Sequence, residues 1–384
     1  MNLINNSSAK GLKIAFVHSK YSTVGGTEKY LFRITKELSK RGACVDYYTS
    51  KIETEPIKGI HIHKIGAIKK PASAFLLSFL LTSSSALKNK KYDIIQSSGK
   101  TIPANIYRLG GGLHNDYISN KGGGISSFSF HSLMVRLIEK NIFSRKKFRK
   151  LIAPSKRIKS LLVRKYFIEE EKIEVLYNPI LIDIVSEEER QKRRKSFRSA
   201  HNIGEDSLCY LFAAGNFSLK GLKELINAYS FLPDEIKNKS YVIVAGGGNK
   251  KRYLSLLKER KIEDRFIFLG KITDEMQDIY SSGDILVHPT HYDPFSNVCL
   301  EAMAYGIPVI TTAINGFSEI IENGSEGYVV SKPDDIVEIS NLMNELAKDE
   351  IRKEMSKRCK SKSGNFDIDK HMNCLINIYN EVKD

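Results

Sequence analysis

No stretch of this sequence comes near the roughly 18 consecutive apolar residues that a membrane-spanning helix needs. The longest candidate, residues 74–81 (AFLLSFLL), is far too short. The opening MNLINNSSAKGLK has no apolar core and runs directly into a strand, so a secretory signal is not expected and a cytoplasmic location is. Cysteine is sparse. The five (Cys44, Cys209, Cys299, Cys359 and Cys374) are scattered, odd in number, and form no CxxC or Cys/His cluster along the chain. That argues against a disulfide framework and against a zinc site. Tryptophan is missing altogether, which by itself excludes nothing. Gly246-Gly247-Gly248 is not followed by GK[ST], so it is no Walker A loop. Zinc-finger and RNP patterns are missing too, and aromatics do not interleave with the basic runs, which weakens a nucleic-acid reading.

What is present fits a soluble two-domain protein: 384 residues, 41% hydrophobic and 27% charged. The net charge of +16 favours anionic partners. Strands are predicted at 12–17, 45–48, 60–65, 92–96, 151–153 and 173–176, with helices between them. One helix is predicted from a Thr27 cap to about Arg41, closed by Gly42. After a charged segment at 183–206 the alternation restarts, with strands at 208–214, 241–245, 267–269, 284–288 and 309–311. The pattern predicts an α/β fold of two Rossmann-like, doubly wound domains, each with a parallel sheet covered on both faces and facing the other across a cleft. Their expected bounds are 1–180 and 181–365, followed by a C-terminal helix within 366–384 that packs on one domain or the other.

The most informative segment is 288–312, HPTHYDPFSNVCLEAMAYGIPVITT. A buried strand leads into a turn with Pro294. Ser296-Asn297 then starts a helix in which Glu301 falls one turn later, eight residues after Asp293. A carboxylate there can accept ribose hydroxyls, and the nearby amides and helix dipole favour phosphate. Ala214-Gly-Asn-Phe-Ser-Leu-Lys-Gly221, at the end of the first strand of the second half, places Lys220 where a cation can offset charge on a leaving diphosphate. Gly25-Gly26-Thr27-Glu28, after the first strand, is either a tight turn or a close backbone approach to an anion. Arg108-Leu-Gly-Gly-Gly-Leu-His114 offers a second glycine-rich loop, and His114 there is either structural or ligand-facing.

These motifs resemble the retaining glycosyltransferases of family 4, and GNFSLKGL with R-x-G-G-G-x-H is most similar to the lipopolysaccharide-core α-glucosyltransferases. Asp293 departs from the usual Glu, and Asn216 stands where the family usually carries Arg. The resemblance implies the GT-B fold, a nucleotide-sugar donor, retention of anomeric configuration, and no metal or other cofactor. No DxD motif is read as a metal–phosphate site. It further implies that the first domain binds the acceptor and the second the donor. Glu301 then holds the ribose, Lys220 meets the diphosphate, and Asp293 with Phe295, Ser296, Asn297 and Val298 reads the sugar hydroxyls. Lys271 and Ile272 lie beside the nucleobase, Asn216 lines the donor loop, Gly25 and Gly26 close on the phosphates, and His114 faces the reacting sugar. His18, His288 and His291 are weaker candidates. UDP-glucose is the favoured donor, with ADP-heptose and GDP-mannose open. The expected acceptor is a glycolipid or polysaccharide such as lipopolysaccharide core.

Two basic clusters, 144–150 and 190–198, are either solvated helices or, for the first together with Leu76–Leu81, a face toward an anionic inner leaflet. In the second cluster, Glu187–Glu189 precede the cations, an order that suits the helix dipole. The competing readings are a sugar-nucleotide epimerase of the same fold, and a basic nucleic-acid- or membrane-binding protein without transferase activity. A sugar phosphorylase would need a pyridoxal-phosphate lysine, for which the sequence has no signature.

Overall fold

The computed structural model describes residues 8–98, 101, 103–120, 129–272 and 276–383. The chain forms two compact units, Met1–Leu181 with Asp367–Asp384, and Ile182–Phe366.

The first unit holds β1 (Lys13–Val17), β2 (Lys20–Tyr21), β3 (Cys44–Thr49), β4 (Lys51–Ile52), β5 (Ile60–Lys64), β6 (Ile94–Ser97), β7 (Ile106–Arg108), β8 (Lys150–Ala153) and β9 (Ile173–Val175). Seven of them form a parallel sheet in the order β5-β3-β1-β6-β7-β8-β9, and β2 pairs with β4 beside it. β1 (KIAFV) lies inside the sheet between β3 and β6, and its last four residues are buried, as a strand covered on both faces should be. Arg108, read from sequence as the start of a glycine-rich loop, is the last residue of β7.

The helix Gly26–Lys40 buries Tyr30, Leu31, Ile34 and Leu38 on one face. It is capped by Gly25, not by Thr27 as the sequence predicts, and so starts two residues earlier. Gly25 takes φ +108°, and a Cβ there would stand 2.3 Å from the Glu28 carboxylate, so the tight entry needs glycine. At the other end Gly42 follows the helix with φ +90°.

The C-terminal helix, Ile368–Val382, packs into the core of the first unit through Met372, Leu375, Ile376 and Tyr379. His371 anchors it: one ring nitrogen meets the Tyr177 carbonyl and the other the Tyr30 hydroxyl, both at 2.9 Å. Asp367-Ile368-Asp369 does spell D-x-D, which the sequence reading passed over. Asp367 is the cap of this helix, accepting from the Asp369 amide, and Asp369 pairs with Arg41.

The second unit holds β10 (Leu208–Ala213), β11 (Ser240–Ala245), β12 (Phe266–Gly270), β13 (Ile285–His288), β14 (Val309–Thr312) and β15 (Gly327–Val330). They form one parallel sheet in the order β12-β11-β10-β13-β14-β15. The charged helix Glu187–Ala200 is capped by Ser186, with three glutamates in its first turn. Its arginines are held in ion pairs. Arg194 and Arg198 both pair with Asp284 at 2.9 Å, and Arg193 pairs with Asp278 at 2.7 Å. Arg198 is buried and also donates to the carbonyls of Gly204, Glu205 and Ser207. This basic cluster therefore ties the helix to the sheet.

Candidate active site

In the second unit the chain runs outward from β10 to β11 and β12 on one side, and to β13, β14 and β15 on the other. The strand order reverses between β10 and β13. In open α/β sheets, the crevice beyond the strand ends at such a reversal is where ligands bind. The loops leaving these two strands carry Lys220 and Asp293.

The two loops are fastened together. The Leu219 carbonyl accepts from the His291 amide at 2.9 Å and from the Thr290 hydroxyl at 3.2 Å. Gly221 adopts φ +85°, and a Cβ there would stand 2.0 Å from the Pro289 carbonyl oxygen, so only glycine permits the approach. Asn216 shapes the turn: its side-chain oxygen accepts from the Leu219 amide at 3.1 Å, and its carbonyl accepts from the Lys220 amide at 3.1 Å.

Lys220 is thereby aimed at Asp293. Its Nζ donates to Asp293 Oδ2 at 2.6 Å and to the Tyr292 carbonyl at 2.8 Å. Both side chains are mostly buried. Burial pushes the Asp293 carboxyl up, but the Lys220 charge outweighs it, holding the group well below the usual carboxylate range. His288, the last residue of β13, is itself buried, which pushes its pKa down. Its Nε2 lies 3.6 Å from Asp293 Oδ2, too far for a hydrogen bond, and neither ring nitrogen has a hydrogen-bond partner among the described residues.

The helix Asn297–Ala304 starts at this pair. Ser296 caps it, its hydroxyl accepting from the Cys299 amide. Asn297 and Val298 form the first turn, where amides and the positive end of the dipole favour an anion. Phe295 is buried edge-on against Phe317, with ring centroids 5.9 Å apart. Glu301 is only 3% exposed, and the Tyr280 hydroxyl donates to its Oε2 at 2.9 Å. Asn315, which the sequence reading missed, braces the whole turn: its side-chain oxygen accepts from the amides of Ser296 and Phe317. The Asp293 carbonyl also accepts from the Gly316 amide at 2.9 Å. Asn-Gly after a strand was the available signal for this turn.

Lys271 and Ile272 follow β12, with Lys271 exposed beside Gly247. Lys220, Asp293, Asn216 and the Ser296–Val298 turn are thus drawn together within the second unit. Glu301 lies one helical turn deeper, and Lys271 and Ile272 follow the outer strand of the same sheet. His291 stands aside, paired with Glu224 at 3.1 Å. A larger hollow of about 710 Å³ lies at the opposite end of this sheet, lined by Arg190, Arg194, Asp284, Asp349 and Arg352. Arg194 pairs there with Asp284, Arg352 with Asp349, and Arg190 with Glu187 beside it, so these cations are already committed to ion pairs.

The first unit has a separate cavity of about 410 Å³, walled by Phe75, Phe79, Tyr107 and Phe143 and fringed by His18, Glu28, His114 and Glu139. His18 Nε2 lies 3.4 Å from Glu28 Oε1. Burial pushes the Glu28 carboxyl up, but His18 and Lys20 more than offset it, and the net shift is downward. His114 opens the short helix His114–Asn120. Its Nε2 meets the Ser132 hydroxyl at 2.8 Å, and its amide donates to both oxygens of Glu139. Gly25 and Gly26 form the entry of the first helix in this unit.

Two Rossmann-like units, each built on its own parallel sheet, are the architecture of the GT-B glycosyltransferase structures. The chain matches the model for glycosyl transferases group 1 over residues 193–365 and that for Glycosyltransferase Family 4 over residues 24–183. It belongs to this glycosyltransferase family. It is similar to the lipopolysaccharide glucosyltransferase WaaG of Escherichia coli K12, with 22% identity over 83% of this chain and 85% of that one. The crystal structure of WaaG superposes with a TM-score of 0.83 at 19% identity, covering 95% of this chain and 99% of that chain. HepE (Alr3699) of Anabaena, solved with UDP and glucose, gives a TM-score of 0.74 at 19% identity, over 96% of this chain and 100% of that chain. At these identities the structural likeness speaks for the fold.

Proposed function

We propose that this enzyme transfers a hexose, glucose in the first instance, from a UDP-sugar to a membrane-associated glycan such as lipopolysaccharide core, with retention and without a metal. The observation that carries this reading is the Lys220–Asp293 pair set at the N-terminus of the helix Asn297–Ala304. Lys220 and the amides of that first turn supply the positive potential that a departing nucleoside diphosphate requires. Asp293, held ionised, accepts hydrogen bonds from sugar hydroxyls, together with the backbone of Phe295, Ser296, Asn297 and Val298. Glu301, oriented by Tyr280, accepts from the ribose, and Asn216 sets the loop that aims Lys220. Lys271 and Ile272 flank the base.

The apolar cavity of the first unit takes the acceptor, with His114 at its rim. The acceptor hydroxyl attacks the anomeric carbon on the face the phosphate leaves. The phosphate oxygen takes its proton, so one C–O bond forms as another breaks. The names of the relatives support glucose and UDP, since WaaG is a lipopolysaccharide glucosyltransferase and HepE was solved with UDP and glucose.

A membrane-held acceptor agrees with an exposed apolar face. No helix among the described residues is long and apolar enough to cross a membrane. Even so, Phe130, Leu133 and Leu137 of the helix Phe130–Arg145 are each at least half exposed, spaced along one side, and Leu81 of the contacting helix Ala72–Leu87 is 67% exposed. Lys and Arg at 145–147 follow directly, each adding about 1 kcal/mol at an anionic surface.

The deciding experiment is a thermal-shift panel with UDP, GDP, ADP, CMP and their sugars, with and without EDTA. Ligand at about 100 times its dissociation constant adds roughly 2.7 kcal/mol. A rise with UDP and UDP-glucose that survives EDTA is the expected result; no rise with any nucleotide at millimolar concentration overturns the donor site. Flotation with phosphatidylglycerol vesicles, but not with phosphatidylcholine alone, is expected for the membrane face.

A further inference from the structure

We propose that Cys44, Asp46 and His61 form a zinc-type divalent metal site on the outer part of the first sheet, apart from the transferase chemistry. β5 is the edge strand and β3 its neighbour. Cys44 and Asp46 are two residues apart on β3 and share a face. The parallel register sets Asp46 opposite His61. The Cys44 sulfur, an Asp46 carboxylate oxygen and a His61 ring nitrogen all lie within 4.8 Å of one another, and this is the one such triad among the described residues. Cys44 and His61 are exposed and Asp46 is half-buried, so an ion can reach them.

The surroundings are built to hold Asp46 in place. His63, one side-chain step further along β5, bonds its Nε2 to Asp46 Oδ1. The His63 ring stacks on Tyr48, with centroids 4.5 Å apart and planes 13° from parallel. Tyr48 in turn shares a hydrogen bond of 2.8 Å with Tyr92. A ligating carboxylate oriented by a second imidazole is the kind of outer-shell support that metal sites carry.

The donor set selects the ion. One thiolate, one imidazole and one carboxylate suit Zn²⁺, whereas magnesium and calcium prefer oxygen alone. Three protein ligands leave the fourth tetrahedral position to water. On binding, the Cys44 thiol loses its proton to solvent and the sulfur donates a lone pair to the metal. The site lies on the sheet face toward the start of β3, away from the strand ends where ligands of such sheets bind. Its consequence is structural: the ion fastens the edge strand β5 to β3 and stabilises the folded chain by mass action.

The test uses the tag-free full-length protein, stripped with EDTA, dialysed and titrated with Co²⁺. One cobalt per chain is expected, with a thiolate-to-cobalt charge-transfer band, tetrahedral d–d bands, displacement of both by Zn²⁺, and a higher melting temperature in Zn²⁺. Cys44→Ser should abolish the charge-transfer band, and His61→Gln should weaken binding about tenfold or more. Cys374→Ser, which alters the other exposed thiol, should change neither. All three positions are exposed, and equal melting of the variants in EDTA confirms their fold. Absence of the bands at micromolar cobalt, or bands that survive both Cys44→Ser and His61→Gln, would overturn the proposal. The UDP-dependent thermal shift in EDTA reports the donor site independently, so either result stands without the other.

Discussion

Replacing Lys220 by methionine removes the cation and keeps most of the side-chain volume. From sequence alone, loss of Lys220 is expected to cut transfer strongly and leave the fold intact. The structure requires a further effect, because Lys220 is the counter-charge of a mostly buried carboxylate. Breaking such a pair from one side costs about 3–5 kcal/mol, since the remaining charge stays buried without compensation. Both side chains retain some exposure, 19% and 13%, which places the expected loss at the low end, about 3 kcal/mol. In a domain of this size that is roughly 6–12 °C of melting temperature. Asp293→Asn in the same background removes the stranded charge. The double variant should therefore recover most of the stability, giving a coupling of about 2 kcal/mol in a double-mutant cycle. Transfer should not return, because neither the cation nor the carboxylate is restored. The assay is urea denaturation of four proteins, wild type, two singles and the double, beside a transfer assay with UDP-glucose. A coupling below about 0.5 kcal/mol would refute the claim that the pair is a buried, mutually dependent unit. Recovery of turnover in the double variant would refute the role given to Lys220 charge.

Three further changes test neighbouring features. Gly221→Ala should cost at least about 2 kcal/mol and most of the transfer activity, since it combines a positive φ with a Cβ 2.0 Å from the Pro289 carbonyl; calorimetry showing wild-type melting would contradict this. Tyr280→Phe withdraws the hydroxyl that orients Glu301 and should weaken UDP binding by about 1 kcal/mol, with kcat little changed; calorimetric titration giving an unaltered dissociation constant would remove Tyr280 from the ribose site. His371 is held down to about 3 by burial and by the Arg108 charge, so its folded pKa lies below its unfolded value near 6.5, and its contribution is complete above pH 6.5 and lost as pH falls toward 3. Wild type should lose about 2 kcal/mol more than His371→Gln between pH 7.5 and pH 5, at about 1.4 kcal/mol per pH unit below 6.5; parallel stability curves would show that His371 does not titrate in this way.

The parts of the fold that were legible in the sequence are those written in contiguous residues. The buried strands β1, β10, β11 and β13 are apolar runs bounded by turn residues, and the restart of alternation after residue 200 carries the two-sheet plan. β7, of three residues running into a glycine-rich loop, and β15, which starts with a glycine, were hidden by the turn residues beside them. The misplaced cap has a similar cause. Thr27 is the better capping side chain, but the turn needs φ +108° at Gly25, which threonine cannot supply cheaply, and backbone conformation outranks the cap bond.

The candidate site divides along the same line. The loops bearing Lys220 and Asp293 could be located because each leaves the end of a recognisable strand. Their ion pair could not be seen, since it joins residues 73 positions apart and depends on β10 and β13 being neighbours although β11 and β12 intervene in the chain. The bond from Tyr280 to Glu301 and the brace from Asn315 to Ser296 are likewise products of packing between segments. The Cys44, Asp46 and His61 group carries the point furthest. No spacing rule links positions 44, 46 and 61, and a reading by sequence spacing finds no metal-ligand cluster there. A parallel register of β3 with β5 puts them on one face, and slipping it by one residue would turn His61 to the other side of the sheet. What a sequence conceals is thus pairing between strands, and the chemistry most easily missed is the chemistry that only a register creates.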